Sequence, residues 1–419
     1  MANPLMTSAD IVLHLANFVD DEQYLFFAPV STTWKNAWGQ RPKTTRAVTA
    51  HTTIHLLLKS FRSGLQPGGV VCKAAASVGR LDLLHCARQN GCPWPDDFFS
   101  TAAAGGHVDV LVWARDDGCP PEFDTCHVAA RAGHLGALQW AHGIGCTSDE
   151  ATCKLAAFSG NLAMLKWLRS TSCPWDEDTC YGAARAGHLG ILQWARANGC
   201  PWDRWTCGGA AGGGHLAILK WARMRGCPWD EETCQRAAEE GHLEVLQWAR
   251  ANGCPWDEDT CSKAALGGHL DVLQFARSNG CRWNQETCHC AARGGHLELL
   301  QWAHENGCRW SSLTCDEAAL AGHLGVLRWA RSAGCPWDEN TCNSAASSGH
   351  LDILQWARAT GCPWNEWTCY AAASEGHLAV LQWARANGCP WSAATLNVAI
   401  EAGNDDVVAW ATANGCPQS

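Results

Sequence analysis

The chain has 419 residues, more than a single hydrophobic core usually serves, so it must contain several domains or a repeat array. Its 47% hydrophobic and 17% charged residues exclude extensive disorder, and no run of about 18 apolar residues predicts a membrane helix. The formal net charge of −10 argues against nucleic-acid binding and no secretory signal pattern opens the chain, so we expect a cytoplasmic or nuclear protein without membrane or nucleic-acid partners.

The first predicted element is a helical hairpin within residues 1–40. Apolar residues recur there at helical spacing, and two aspartates interrupt the run. The order DIVLHLANFVD, then Leu, then Val-Ser-x-x-Trp resembles the F-box. That resemblance implies docking on the adaptor of a cullin–RING ubiquitin ligase through Ile11, Leu15, Phe18, Leu25, Val30 and Trp34. The alternative is that the hairpin only closes one end of the array that follows.

Residues 41–69 are predicted to be a degenerate capping repeat and linker. Four positions of TTIHLLLKSFRSG match the Leu, Leu, Ala and Gly columns of later copies, namely Ile54, Leu57, Ser60 and Gly64. At the other end of the chain, Asp405 replaces the first core Leu of the last copy. A polar residue suits a face without a following neighbour, so we expect both ends of the array to be capped.

Residues 70–416 repeat with a period of 27. Stepping by 27 from Gly79 to Gly403 meets Gly thirteen times, and the next residue is His in ten of these copies. Each copy predicts two short helices, the first with a stripe of Cys and Ala-Ala that ends at Gly, the second with a wider stripe of Leu, Trp and Ala. Copies in one register predict an all-α solenoid of about 13 helix-turn-helix units.

The pattern TCxxAAxxGHLxxLQWARxNG resembles the ankyrin repeat, in which the first helix ends in Ala-Ala-x-x-Gly-His and the second begins Leu-x-x-Val. The family's usual period is about 33 residues, so the loop that projects as a β-hairpin in that family is missing here. The resemblance implies a nearly all-helical array that binds protein partners with its first helices.

The 26 cysteines fall mainly in two columns, one on the first helix and one after the second. Phe99 and Leu396 replace Cys in the helix column and can neither bind metal nor form a disulfide, which indicates a small apolar core position. The C-x6-C spacing departs from ordinary zinc motifs, so we expect no metal and no cofactor. A redox bridge within a unit, such as Cys254 to Cys261, and a metal-storage role are the alternatives.

Trp and His form further columns. Trp on the second helix stands where ankyrin repeats carry Leu and is predicted to be core. Trp in the turn either packs over the next unit, which the tendency of large aromatics to be buried favours, or forms an exposed ladder for a partner. Asn161 and Asn404 replace His, so we expect that column to tie adjacent turns by hydrogen bonds. No catalytic constellation accompanies it, and we expect no enzyme.

Two columns of the first helix vary between copies while the core columns stay constant. We expect these variable positions to line up as a partner-binding face, the alternative being a merely solvated surface. The residues assigned to this face are Arg131, Phe158, Tyr181, Arg185, Glu239, Leu266, His289, Arg293, Leu320, Tyr370 and Glu375. The sequence therefore predicts a non-enzymatic protein that binds another protein, either as an F-box-type substrate adaptor or as a plain scaffold or inhibitor.

Overall fold

The computed structural model of the chain describes residues 53–62, 67–120, 122 and 124–418. These residues form helices joined by short turns, and no strand occurs among them. The all-α repeat class that the sequence predicts is therefore confirmed. The residues predicted to dock on a ubiquitin-ligase adaptor lie outside the described part of the chain: Ile11, Leu15, Phe18, Leu25, Val30 and Trp34.

Helix α1 (Ile54–Arg62) precedes thirteen helix pairs in the described residues. The first helices of the pairs are α2 (Gly69–Ser77), α4 (Phe98–Ala104), α6 (Thr125–Ala132), α8 (Glu150–Phe158), α10 (Glu177–Arg185), α12 (Arg204–Gly212), α14 (Glu231–Glu239), α16 (Glu258–Gly267), α18 (Gln285–Arg293), α20 (Ser312–Leu320), α22 (Glu339–Ser347), α24 (Glu366–Ser374) and α26 (Ala393–Glu401). The second helices are α3 (Leu81–Gln89), α5 (Val108–Asp116), α7 (Leu135–Gly143), α9 (Leu162–Ser170), α11 (Leu189–Ala197), α13 (Leu216–Met224), α15 (Leu243–Ala251), α17 (Leu270–Ser278), α19 (Leu297–Glu305), α21 (Leu324–Ser332), α23 (Leu351–Ala359), α25 (Leu378–Ala386) and α27 (Asp405–Ala413).

The helix pairs belong to two compact units. One comprises residues up to Ala183 together with Gly190–Pro201, and the other comprises Ala184–Leu189 together with the residues from Trp202 onward. Within each unit, first helices pack on the first helices of neighbouring repeats, and each second helix packs mainly on the first helix of its own repeat. Because helices this short are marginal by themselves, their stability comes from this packing.

The described ends of the array are helix α1 and the last repeat, and their role as caps stays a prediction. Helix α1 packs on α3, and Leu57, which stands in a core Leu column, is fully buried. At the other end Asp405 is exposed, while Leu396, Ala411 and Cys416 of the last repeat form a small buried cluster. A polar residue at the position of the first core Leu therefore faces solvent, as the sequence predicts.

Each repeat buries one stripe from each of its two helices. In the repeat of α14 and α15, the buried core residues are Cys234, Ala237, Ala238, Val245, Leu246 and Ala249. This stripe matches the predicted core, with two exceptions on the second helix. Leu243 and Trp248 are only half-buried. The prediction that the second-helix Trp column is core is wrong, since all eleven of these side chains are half-buried.

The two Trp columns pack against each other. Trp229 of the turn approaches Trp248 of the following second helix edge-on, with ring centroids 5.9 Å apart. Arg223 of the preceding second helix lies over Trp229, its guanidinium carbon 4.0 Å from the ring centroid, and donates a hydrogen bond to the backbone oxygen of Cys227. The turn Trp therefore packs over the next repeat, as the sequence analysis favours.

The His column joins consecutive repeats. Nε2 of His296 lies 3.0 Å from the carbonyl oxygen of Leu266 in the preceding repeat, and the His296 ring fills the space beside Gly268. Where Asn replaces His, Nδ2 of Asn161 donates to the carbonyl of Gly133 at 2.9 Å. The predicted role of this column, a hydrogen bond between adjacent turns, is confirmed.

Candidate protein-binding surface

The two variable columns differ in exposure: the predicted residues after Ala-Ala are exposed or half-buried, whereas the column of Tyr181, His289 and Tyr370 is half-buried or buried. In α20, Leu313 and Leu320 are exposed, whereas Cys315, Ala318 and Ala319 are buried. The helical period explains this arrangement, because it places Leu313 and Leu320 opposite the core stripe. Exposure is a necessary condition for a binding face, and only part of the predicted set meets it.

Several of the predicted surface residues pair with residues of other repeats. Nε and Nη2 of Arg293 donate to the carboxylate of Glu317, both at 2.7 Å, and Nη2 of Arg185 donates to Glu240 at 2.7 Å. Glu239 accepts a hydrogen bond from a lysine of the next repeat at 3.0 Å. Contacts between repeats therefore do influence these positions. Each pair is partly exposed, so its contribution to stability is small.

His289 is placed differently from the other predicted surface residues. Its side chain is buried, Nδ1 lies 3.3 Å from Oε2 of Glu286, and Nε2 lies 2.9 Å from Oγ of Ser311. Ser311 is the N-cap of α20, so His289 ties one first helix to the start of the next. We therefore leave His289 out of the binding surface.

The remaining predicted residues divide between the two units. Arg131, Phe158 and Tyr181 belong to the first unit, and the others belong to the second. The exposed members are Arg131, Phe158, Arg293, Leu320 and Glu375, and the half-buried ones are Tyr181, Arg185, Glu239, Leu266 and Tyr370. Each unit therefore carries its own set of candidate partner-binding residues.

The apolar part of the second unit's face lies on α20 and α24. Leu313, Leu320 and Trp367 are 50%, 40% and 53% exposed, and the ring of Tyr370 meets that of Trp367 edge-on at 5.1 Å. Helix α22, which packs between α20 and α24, carries Asn and Ser at the corresponding positions. The column that holds Leu313 and Trp367 was missed by the sequence analysis. The available signal was a large apolar residue in a column where six of the thirteen copies have an acidic one.

The charge around these apolar residues is one-sided. Glu339, Glu366 and Glu375 are exposed, and no Lys or Arg occurs in the described first helices α20, α22, α24 and α26. Exposed aromatic and apolar side chains with a polar rim are typical of protein interfaces. We call the following set the acidic–apolar patch: Leu313, Leu320, Glu339, Glu366, Trp367, Tyr370 and Glu375.

The cysteines are paired in a way that the sequence analysis did not foresee. Each helix Cys faces the turn Cys that follows 20 residues later, as in Cys153 and Cys173, whose Sγ atoms lie 3.6 Å apart. Cys254 and Cys261, which the sequence left open as a bridge, belong to different pairs. Burial raises the pKa of the Cys72 thiol to about 12, and the hydrogen bond to the paired thiol together with burial raises the pKa of Cys153, Cys207 and Cys234. These buried thiols therefore stay protonated near neutral pH.

Among the residues that the structure describes, no group of three or more His, Cys, Asp or Glu side chains could hold a metal ion. In the same part of the chain, no helix is long and apolar enough to cross a membrane.

Comparisons with known proteins assign no family to the chain. No protein-family model and no curated protein matches the chain. Among solved structures, the pentatricopeptide repeat protein PPR10 in complex with an 18-nt psaJ RNA element covers 99% of this chain and 74% of its own at 14% identity, with a TM-score of 0.33. The human ASB11 ankyrin repeat domain covers 44% of this chain and 99% of its own at 16% identity, with a TM-score of 0.36. At TM-scores this low, neither structure assigns a family or a partner to this chain. The helical repeat architecture is established by the helix pairs of the chain itself.

Proposed function

We propose that this chain is a non-enzymatic protein-binding repeat protein, and that its acidic–apolar patch holds a basic and apolar segment of the partner. The observation that carries the proposal is the set of exposed apolar side chains on α20 and α24, on helices that have acidic but no basic residues. Aromatic anchors supply much of the energy of protein interfaces, and complementary charge selects the partner. Trp367 is the expected anchor.

The charge of these first helices favours a protein over a nucleic acid as the partner. Nucleic-acid binding depends on Lys and Arg that neutralise phosphates. The patch offers none, and the whole chain has a formal net charge of −10. A segment with Lys or Arg beside Leu or Phe fits the exposed carboxylates and the apolar side chains together.

Replacing Trp367 by alanine in the full-length protein should weaken binding of a basic amphipathic peptide by about 30-fold or more, because truncation of an interface anchor typically costs at least about 2 kcal/mol. The probe is a fluorescein-labelled helical peptide of alternating Lys and Leu turns, and the measurement is a titration by fluorescence anisotropy. Thermal unfolding followed by circular dichroism should show little change, because Trp367 is half exposed.

Trp205 provides a matched control for this variant. It occupies the same column in an earlier repeat of the same unit, but the guanidinium carbons of Arg204 and Arg236 each lie 5.3 Å from its ring. Trp205→Ala should leave peptide binding unchanged. Equal losses from both Trp variants would contradict the proposal. So would binding of a Glu–Leu peptide or a labelled single-stranded RNA as tight as that of the Lys–Leu peptide.

A finer proposal concerns what happens to the bound partner. We propose that residues 1–40 recruit the adaptor of a cullin–RING ubiquitin ligase, so that the array presents its partner for ubiquitination. The proposal rests on the sequence alone, on the order that ends in Val30-Ser31-x-x-Trp34. Without this activity the protein is a plain scaffold or inhibitor.

Deleting residues 1–40 should abolish co-purification of the cullin–RING adaptor while leaving Lys–Leu peptide binding intact. A triple variant, Leu15→Ala, Phe18→Ala and Trp34→Ala, should have the same effect, because these apolar side chains form the docking surface that the F-box resemblance implies. The measurement is co-purification from cells that co-express the adaptor. Adaptor binding retained after the deletion, or none to the intact chain, would overturn this finer proposal and leave the peptide-binding result unaffected.

A further inference from the structure

One turn of the array differs from the others around its cysteine. Thr147-Ser148 follows Cys146, whereas ten of the turns have Trp two residues after Cys. Cys146 is also the one described cysteine that is not buried. The turns of Cys119 and Cys416 also lack this Trp but bury their thiols, so Cys146 is the described cysteine that is accessible to reagents in solution.

Cys146 is one half of a thiol pair. Its partner is Cys126 on α6, which is fully buried and is hydrogen-bonded to Cys146 through the two side chains. In the equivalent pair of the next repeat, the two Sγ atoms lie 3.6 Å apart. A disulfide needs an S–S distance of about 2.0 Å, so a shift of roughly 1.5 Å would close such a pair. An accessible thiol thus lies beside a buried one.

The groups around Cys146 favour its thiolate. The pKa of Cys146 is lowered to about 7, chiefly by the hydrogen bond from the Cys126 side chain and also by a backbone hydrogen bond from Cys126 and the nearby His127. Partial burial and Asp124 act in the opposite direction. Asp149 holds His127 in place, with Oδ1 2.8 Å from Nε2. The pKa of Cys126 is raised, mainly by its hydrogen bond to Cys146 and to a smaller extent by burial. Because the thiolate is the nucleophile, we expect Cys146 to react first with a disulfide from solution and Cys126 to react in the second step.

We propose that Cys146 is a modification site for small disulfides of the glutathione class, with Cys126 as the resolving thiol. The Cys146 thiolate attacks one sulfur of the small disulfide, whose S–S bond breaks and releases one thiolate. Cys126 then loses its proton to solvent and attacks the Cys146 sulfur of the mixed disulfide, which releases the second thiolate. Both released thiolates take up protons. In total, two protein thiols are oxidised to one disulfide, and the small disulfide is reduced to two thiols.

The test treats the native full-length protein with oxidised glutathione, blocks the remaining thiols with N-ethylmaleimide after denaturation, and identifies modified peptides by mass spectrometry. We expect a Cys126–Cys146 disulfide to form before any other modification. In Cys126→Ser, glutathione should stay attached to Cys146, because the resolving thiol is missing. In Cys146→Ser, Cys126 should remain unmodified, because it is buried.

The buried pair of the next repeat is the matched control. Cys153→Ser and Cys173→Ser should leave the modification of Cys146 unchanged, since neither residue takes part in it. A second readout needs no variant. Brief treatment of the native wild-type protein with iodoacetamide should label Cys146 about 10-fold faster than any other cysteine. Uniform labelling of the cysteines, or glutathione attached first at another cysteine, would overturn the proposal.

Discussion

Replacing Gly268 by alanine should destabilise the protein much more than the same change at Gly253. Both glycines have left-handed backbones, with φ of +79° and +82°, so alanine carries the same backbone cost of about 1 kcal/mol at each. A Cβ at Gly268 would lie 2.4 Å from Cε1 of His296, whereas a Cβ at Gly253 would meet nothing within 4 Å. We expect losses of about 3 and about 1 kcal/mol respectively, because the His296 ring must move and give up its contact with the carbonyl of Leu266.

Urea unfolding followed by circular dichroism would compare the two variants, and amide hydrogen exchange would show whether the loss is centred on the repeats beside Gly268. His296→Ala should partly relieve the effect of Gly268→Ala, so that the double variant loses less than the sum of the single changes. Equal destabilisation at Gly268 and Gly253 would mean that the backbone conformation alone, without the His contact, sets the need for glycine.

Asp316→Asn should stabilise the protein at neutral pH by about 2 kcal/mol. Asp316 is buried, its Oδ1 accepts a hydrogen bond from Oγ1 of Thr341 at 2.6 Å, and burial raises the pKa of its carboxyl to about 6. Because the folded-state pKa lies above the unfolded value of about 3.9, the folded state binds this proton more tightly. The carboxylate therefore opposes folding above about pH 6, and this cost disappears as the pH falls below about 4. The gain from Asp316→Asn should vanish over the same range.

The next repeat supplies a control for the Asp316 variant. Asn343 occupies the same column, and its Oδ1 accepts a hydrogen bond from Oγ1 of Thr368 at 2.7 Å. Asp316→Asn thus reproduces a pair that the fold already contains. Asn343→Asp should destabilise the protein at neutral pH, though less strongly, because Asn343 is only half-buried. The measurement is the free energy of unfolding in urea at a series of pH values. A gain from Asp316→Asn that does not change with pH would contradict the burial argument.

The sequence predicted those parts of the fold that depend on local chemistry. Helix α16 follows its predicted N-cap, Asp257, and ends at Gly268 in the left-handed conformation. Pairing between columns could not be predicted in the same way. Cys254 is close in sequence to Cys261 but pairs with Cys234, because the turn folds back on the first helix of the repeat that it closes. Periodicity shows which residues are equivalent, but it does not show which columns meet across a turn.

The candidate surface was predicted as a face but not residue by residue. Leu320 is exposed as expected, whereas His289 in a variable column is buried and bonded to Ser311. Variation between copies does not separate a side chain that faces solvent from one that adapts to its neighbour. Trp367 and Leu313 could have been found, because each is a large apolar residue in a column where six of the thirteen copies have an acidic one.

The bond between each His and a carbonyl of the preceding repeat also bears on how such a chain can evolve. Within the second unit, deletion of residues 269–295 would place His296 directly after Gly268, in the position of His269. His296 would then meet the carbonyl of Glu239 instead of the carbonyl of Leu266. The new junction would join equivalent partners, since each repeat contacts mainly its neighbours. Unequal recombination between near-identical copies could therefore shorten or lengthen the gene in steps of 27 codons without requiring a new interface.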